Sequence, residues 1–243
     1  MEVFLLELRE FLKEAANKIN ITLTDHQLEQ FLLYKDILLE WNNRINLTAI
    51  TDPEEIIIKH FIDSLTCARY IKDGQRVIDV GTGAGFPGIP LKILFADRIQ
   101  ITLLDSLNKR VKFLNEAVAS LKINDTNIMY ARAEDAANNN QHRENYDIAV
   151  SRAVANLAGL SEYCLPFVKL GGFMASMKGP KIEDELKSVK KAMEVLGGSI
   201  EKIEKITLPM SDIIHAIIII KKVKITPHNY PRKAGKIQKN PLC

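Results

Sequence analysis

Residues 76–90, RVIDVGTGAGFPGIP, hold the chain's densest concentration of positions where backbone alone can hold a ligand. Gly81, Gly83 and Gly85 alternate, Gly88 follows, and Asp79 precedes them. Glycine tolerates positive φ and lets a ligand approach the main chain closely. Arg76 to Val80 is a short β-branched run that reads as a buried strand. Pro87 and Pro90 fall where a helix would begin, where a missing N–H costs little. Strand, glycine loop and helix in succession form the nucleotide-binding unit of a doubly wound α/β sheet.

Two spacings overlap in this loop. Gly83, Gly85 and Gly88 satisfy GxGxxG, the dinucleotide fingerprint. Asp79 with Gly81-Thr82-Gly83-Ala84-Gly85 more closely resembles the first motif of class I S-adenosylmethionine methyltransferases. No Lys-Ser or Lys-Thr pair closes the loop, which excludes a Walker A phosphate loop. Asp105 ends the second apolar run, Ile99 to Leu104, twenty residues after Gly85. An acid at that strand tip can accept hydrogen bonds from ribose hydroxyls under either spacing.

Further candidates follow the later strands. Strand 127–131 leads into Arg132-Ala133-Glu134-Asp135, beside the expected adenine position. Asp135 reads equally well as an acid in a favourable first helical turn. Strand 146–150 delivers Arg152 to the carboxyl edge, where open sheets do their chemistry. His60, Asp63 and Ser64 share one face of a helix running from Pro53 to about Tyr70. A hydrolytic triad is rejected there, because no strained elbow surrounds Ser64 and one rigid face cannot form the bent relay. A polar cluster ordering the cofactor loop and ordinary helix hydrogen bonding both stay open. So do two readings of WNNRINLT (41–48): turns and caps, or a connector beside the cleft.

The elements that must position these groups follow from periodicity. Residues 1–19 carry a helical apolar stripe, and Thr24 with Gln27 marks a capping-box start for a second helix. Helices are predicted at 107–121, 154–168 and 182–196. A fifth strand is predicted at 173–177, and runs 200–208 and 213–220 read as a closing antiparallel pair. The fold expected is an α/β class I methyltransferase fold, a doubly wound seven-stranded sheet with an antiparallel last strand. Residues 1–70 form a helical extension packed on the core, 71–222 the core and 223–243 a basic tail. The Asn-rich stretch 138–145 is a surface loop with no assigned role.

Composition fits a soluble globular protein: 243 residues, 47% hydrophobic and 26% charged. No apolar run approaches a membrane span, and MEVFLLELRE lacks the basic region of a secretory signal. Cys67, Cys164 and Cys243 have no CxxC pair, which argues against a disulfide framework or metal site and favours the cytoplasm. Seven Lys or Arg and no acid follow Asp212, whereas the preceding chain is net acidic. That segregation favours a polyanion partner, with a solvated tail as the bland alternative.

Together the motifs WNNRINLTAI (41–50), HFIDSL (60–65), VIDVGTGAGFPGIPL (77–91), LLDSLNKRVKFL (103–114), ARAED (131–135), YDIAVSRAVANL (146–157), GGFMASMKG (171–179) and YPRKAGKIQKNPL (230–242) resemble one family. It is the bacterial small-subunit ribosomal RNA guanine-N7 methyltransferases, or glucose-inhibited division protein B. The resemblance implies methyl transfer from S-adenosylmethionine to N7 of a guanine in the decoding-region loop of 16S rRNA, free or within a 30S subunit or assembly intermediate. It places the cofactor at Gly81, Gly83, Gly85, Phe86, Leu104, Asp105, Ser106, Ala133, Glu134 and Arg152. No catalytic base is expected, since N7 carries no proton. RNA cations would be Arg132, Arg152, Lys178, Lys181, Arg232, Lys233 and Lys236, on a protein expected to be monomeric. The rivals are an NAD-dependent oxidoreductase, which lacks a Ser-Tyr-x-x-x-Lys relay here, a non-enzymatic ribosome-assembly factor, and a small-molecule methyltransferase.

Overall fold

The computed structural model describes residues 2–152 and 155–243. Seven strands form one sheet: β1 (Arg76–Val80), β2 (Gln100–Asp105), β3 (Thr126–Tyr130), β4 (Tyr146–Arg152), β5 (Val168–Lys178), β6 (Gly198–Thr207) and β7 (Ile214–Lys222). Their order is β3-β2-β1-β4-β5-β7-β6. β1 to β5 are parallel, while β7 runs antiparallel to both β5 and β6. The central strand β1 is buried from Val77 to Val80, as a parallel strand covered on both faces must be.

Three helical pieces cover one face before β1 begins. α1 (Glu2–Lys18) precedes α2 (Asp25–Ile45), whose capping box is formed by Thr24 and Gln27. Gln27 Nε2 also donates to the Ile93 and Leu94 carbonyls near the end of α5 (Gly88–Phe95). That bond ties the extension to the helix after the glycine loop. Phe31, Tyr34, Ile57 and Phe61 share one apolar core with Val77, Leu103 and Ile217 of the sheet.

The helical run 53–70 is not uniform. α3 (Pro53–Ile56) passes through a π-helical turn, Ile57–Ile62, into α4 (Asp63–Leu65) and a 3₁₀ turn, Thr66–Tyr70. The wider turn alters the side-chain phase where His60 sits.

α6 (Asn108–Leu121) joins α2 and α5 on the face of the N-terminal helices, its Phe113, Leu114, Ala117 and Leu121 lying in the same core. The other face carries α7 (Ala133–Ala136), α8 (Leu157–Cys164), α9 (Glu183–Ser188) and α10 (Lys190–Leu196). The helix expected at 154–168 ends earlier, at Cys164, and a 3₁₀ turn through Pro166 follows; residue 154 itself lies outside the described residues. The helix expected at 182–196 is broken at Val189. β5 starts five residues earlier than predicted, because Val168 pairs with Tyr146 before a register shift beside Gly171 and Gly172.

Residues 223–243 do not trail from the sheet. Ile237, within α11 (Ala234–Lys239), and Leu242 are buried in the core formed by Leu157, Phe167 and Ile218. Arg143 donates to the carbonyls of Thr226, Pro227 and Tyr230, and Glu144 accepts the Thr226 N–H at 2.9 Å. The stretch 138–145 thus anchors the end of the chain. Among the described residues, no helix is long and apolar enough to cross a membrane.

Candidate active site

The glycine loop leaves β1 at the carboxyl edge. Gly81, Gly83 and Gly85 all take positive φ, at 72°, 62° and 88°. Gly85 has a second constraint: a Cβ there would lie 2.5 Å from Ile89 Cδ1 and 2.7 Å from Tyr34 Oη. Tyr34, from α2, donates its hydroxyl to the Ala84 carbonyl and so braces the loop from beneath. A Cβ at Gly83 would meet nothing nearer than the Gly81 carbonyl at 4.0 Å. It would project into open cleft, so only glycine keeps that space for a ligand.

Two carboxylates organise the loop. Asp79 is fully buried; its Oδ2 accepts from Thr82 Oγ1 at 2.6 Å and Gly88 N at 2.8 Å. Its Oδ1 has no partner among the described residues, and burial pushes the carboxyl up to about 7. Asp105 accepts Gly83 N at 3.0 Å through Oδ2 and Leu107 N at 2.8 Å through Oδ1. The acid at the tip of β2 therefore fixes the loop as well as facing the cleft.

Two cavities meet at Gly81, Asp105 and Ser106. One, of about 410 Å³, is lined also by Leu104, Arg132, Ala133, Glu134, Asn156, Tyr163 and the α11 residues Ala234, Ile237 and Gln238. The other, of about 550 Å³, is lined by Leu47, Thr48, His60, Gly83, Phe86, Arg110 and Arg152. Of the ten cofactor residues expected from the sequence, all but Gly85 line one or both; Gly85 packs beneath the loop.

The polar wall of the larger cavity is a closed network. Arg152 Nη1 donates to Asp63 Oδ2 at 2.9 Å and to the Lys59 carbonyl at 3.1 Å, and Nη2 lies 3.3 Å from His60 Nδ1. The guanidinium carbon sits 4.8 Å above the Phe86 ring, and His60 stacks on that ring at 4.6 Å. A guanidinium can only donate, so His60 Nδ1 accepts and the imidazole proton sits on Nε2. Nε2 then donates to Thr48 Oγ1 at 2.8 Å. Burial first, and the Arg152 charge second, push His60 down to about 4. Ser64 donates into its own helix, to the His60 carbonyl, so the His-Asp-Ser face divides between a site cluster and ordinary helix bonding.

The expected RNA cations divide as well. Arg132, Lys181, Lys233 and Lys236 are exposed. Lys178 pairs with Glu185 at 2.8 Å, Arg232 clasps Glu162, and Arg152 belongs to the network above. Sequence reasoning did not assign Asn156, Tyr163 or the α11 residues to the cleft. Thr48 and His60 carried a signal, the amide-rich connector and the polar helix face. The buried Cys67 and Cys164 thiols are both pushed up by burial, the state opposite to a reactive thiolate.

The antiparallel closing strands, the glycine loop and the acid at the β2 tip define a class I S-adenosylmethionine-dependent methyltransferase. Solved structures agree on the fold: a methyltransferase of Aquifex aeolicus (18% identity, 70% of this chain and 93% of that one, TM-score 0.52) and the [4+2]-cyclase SpnF (14%, 82% and 96%, 0.55). The family model for rRNA small subunit methyltransferase G (GidB) matches residues 27–214. Ribosomal RNA small subunit methyltransferase G of Alkaliphilus oremlandii is 53% identical over 98% of this chain and 100% of its own length. That of Acetivibrio thermocellus is 54% identical over 98% of both. The chain belongs to this methyltransferase family.

Proposed function

We propose that this protein methylates N7 of one guanine in the decoding-region loop of 16S rRNA. The observation that carries the chemistry is the state of His60. Among the described residues it is the only imidazole lining the two cavities, and it is neutral, with its lone pair turned to Arg152. Guanine N7 presents an in-plane lone pair and no proton, so its attack requires no base. S-adenosylmethionine, when bound, supplies the electrophilic methyl group.

The residues present suit that cofactor. In this reading Asp105 takes the ribose hydroxyls, and Leu104, Ser106, Ala133 and Glu134, which line the 410 Å³ cavity with it, take the adenine and its edge. Gly81, Gly83, Phe86 and Arg152 flank the space for the charged amino-acid end. The protein's contribution is then alignment and exclusion of water. Arg132, Lys181, Lys233 and Lys236 take RNA phosphates, while Lys178, Arg152 and Arg232 fix the rim by holding protein carboxylates. The working form in this reading is a single chain in the cytoplasm acting on 16S rRNA, free or within a small-subunit particle.

Labelled S-adenosylmethionine supplied with naked 16S rRNA, 30S subunits and free guanosine tests the reading. Transfer to rRNA or subunits and none to guanosine is expected. Equal transfer to guanosine would make this a small-molecule methyltransferase.

A further inference from the structure

Asp63 holds Arg152 in place, but only one of its oxygens faces that guanidinium. The carboxylate is fully buried on α4, and Oδ2 takes Arg152 Nη1 at 2.9 Å. Oδ1 lies 2.5 Å from Nδ1 of His215. A buried carboxylate paired to an arginine is ionised and can only accept, so the His215 Nδ1 carries the proton in this contact.

His215 is the second residue of β7. In the antiparallel register Ala216 lies opposite Lys178, the last residue of β5. Because β7 runs backwards, its beginning arrives at the carboxyl edge, where β1 to β5 end. A parallel strand in the same place would bring its final residues there instead. The reversal therefore delivers a hydrogen-bond donor from late in the chain to the cofactor cleft.

We infer that His215 is a positioning residue of the cofactor site, acting through Asp63 on the Arg152 guanidinium. Without the His215 donor, Asp63 Oδ1 is left buried and unpaired, a costly state. The carboxylate then rotates to engage both terminal amines of Arg152. That draws Nη2 away from His60 Nδ1 and shifts the guanidinium off the Phe86 ring. Since Arg152 and Phe86 both line the 550 Å³ cavity, the shape and charge presented to the cofactor change. His215 itself is 28% exposed at the side chain and lines neither cavity, so its substitution removes no cofactor contact directly.

The inference rests on the cofactor reading above, and calorimetric titration of the full-length protein with S-adenosylmethionine separates the two. Asparagine places its amide nitrogen where histidine places Nδ1, whereas glutamine reaches the Nε2 position. His215→Asn should bind within about twofold of the native protein, while His215→Gln and His215→Leu bind at least about fivefold more weakly, the loss of a hydrogen bond to a charged group. Melting temperatures recorded on the same samples identify any variant that has simply unfolded. If the leucine variant does not fold, the contrast between asparagine and glutamine decides alone. Equal binding by the asparagine and glutamine variants would overturn the role of His215. A native protein that binds no S-adenosylmethionine would overturn the cofactor reading with it.

Discussion

Arg232 grips both oxygens of Glu162, Nε to Oε1 at 2.8 Å and Nη2 to Oε2 at 2.6 Å, and its own backbone N–H adds a third bond to Oε1. Glu162 has no exposure to solvent. A basic residue that composition assigned to a polyanion is therefore the clasp that closes the end of the chain on α8. The same segment walls the smaller cavity through Ala234, Ile237 and Gln238, and Glu134 Oε1 accepts the Ala234 N–H at 3.3 Å. Closing the chain and walling that cavity are one structural event.

Removing the arginine leaves a buried carboxylate alone. Arg232→Ala should lose about 3–5 kcal/mol of stability, and a paired Arg232→Met, Glu162→Met change should recover most of it. Urea denaturation of the three proteins checks this. Because the segment walls the cavity, truncation after Asn229 should also weaken S-adenosylmethionine binding in calorimetry. A truncated protein with native stability and affinity would refute the clasp.

The exposed lysines of the segment should behave differently. Lys233→Gln, Lys236→Gln and Lys239→Gln together should flatten the plot of log RNA affinity against log salt by about 2–3, because each phosphate without its lysine keeps its condensed counterion. Cofactor affinity should stay unchanged, since their side chains face solvent. An unaltered salt slope would leave them as solubilising charge only.

His60 makes two predictions about pH. Single-turnover methyl transfer at saturating cofactor and RNA should show no ionisation from this residue between about pH 6 and 9. Its contribution to stability has a definite sign. In the unfolded chain His60 takes a proton near 6.5, but the folded protein resists until about 4. Stability should therefore fall as pH drops through that window, by on the order of 2–3 kcal/mol from this group. Comparison of His60→Asn with the native protein across pH 4–7.5, by urea denaturation, isolates it; parallel curves would contradict the assignment.

Asp79 works in the opposite direction. Its carboxyl ionises near 3.8 when unfolded and about 7 when folded, so the folded state holds the proton more tightly. Stability from this group is present below about 3.8 and is lost as pH rises through 7. Asp79→Asn keeps an acceptor for Thr82 and Gly88 while removing the buried charge. It should be more stable than the native protein at pH 8, by about 1–3 kcal/mol, with the gain disappearing near pH 4. Chemical denaturation at both pH values decides; a variant destabilised at pH 8 would show that the charge has an unseen partner.

What could be read from the sequence was local. The strand before Gly81, the glycine alternation and Asp105 at the tip of β2 are short-range patterns, and each sits in or under the cleft. The two closing apolar runs likewise announced the reversed strand pair. Groups joined across long separations were invisible. His215 meets Asp63 across 152 residues, and Arg143 meets Tyr230 across 87. Neither contact leaves a periodicity. The charge at the end of the chain hid its packing for a physical reason: the exposed lysines dominate the composition, while Ile237 and Leu242 face the core. The π-helical turn at Ile57–Ile62 also left no local mark, because packing of Ile57, Phe61 and Ile62 into the core sets its register.

The central claim is tested most directly by locating the methyl group. Unmodified 30S subunits are incubated with the protein and labelled S-adenosylmethionine, and the 16S rRNA is then reduced and treated with aniline, which cleaves at 7-methylguanosine. One labelled methyl per rRNA, with a single cleavage at a guanine of the decoding-region loop, is the result predicted. Label incorporated at an aniline-resistant position, or spread over many guanines, would contradict it.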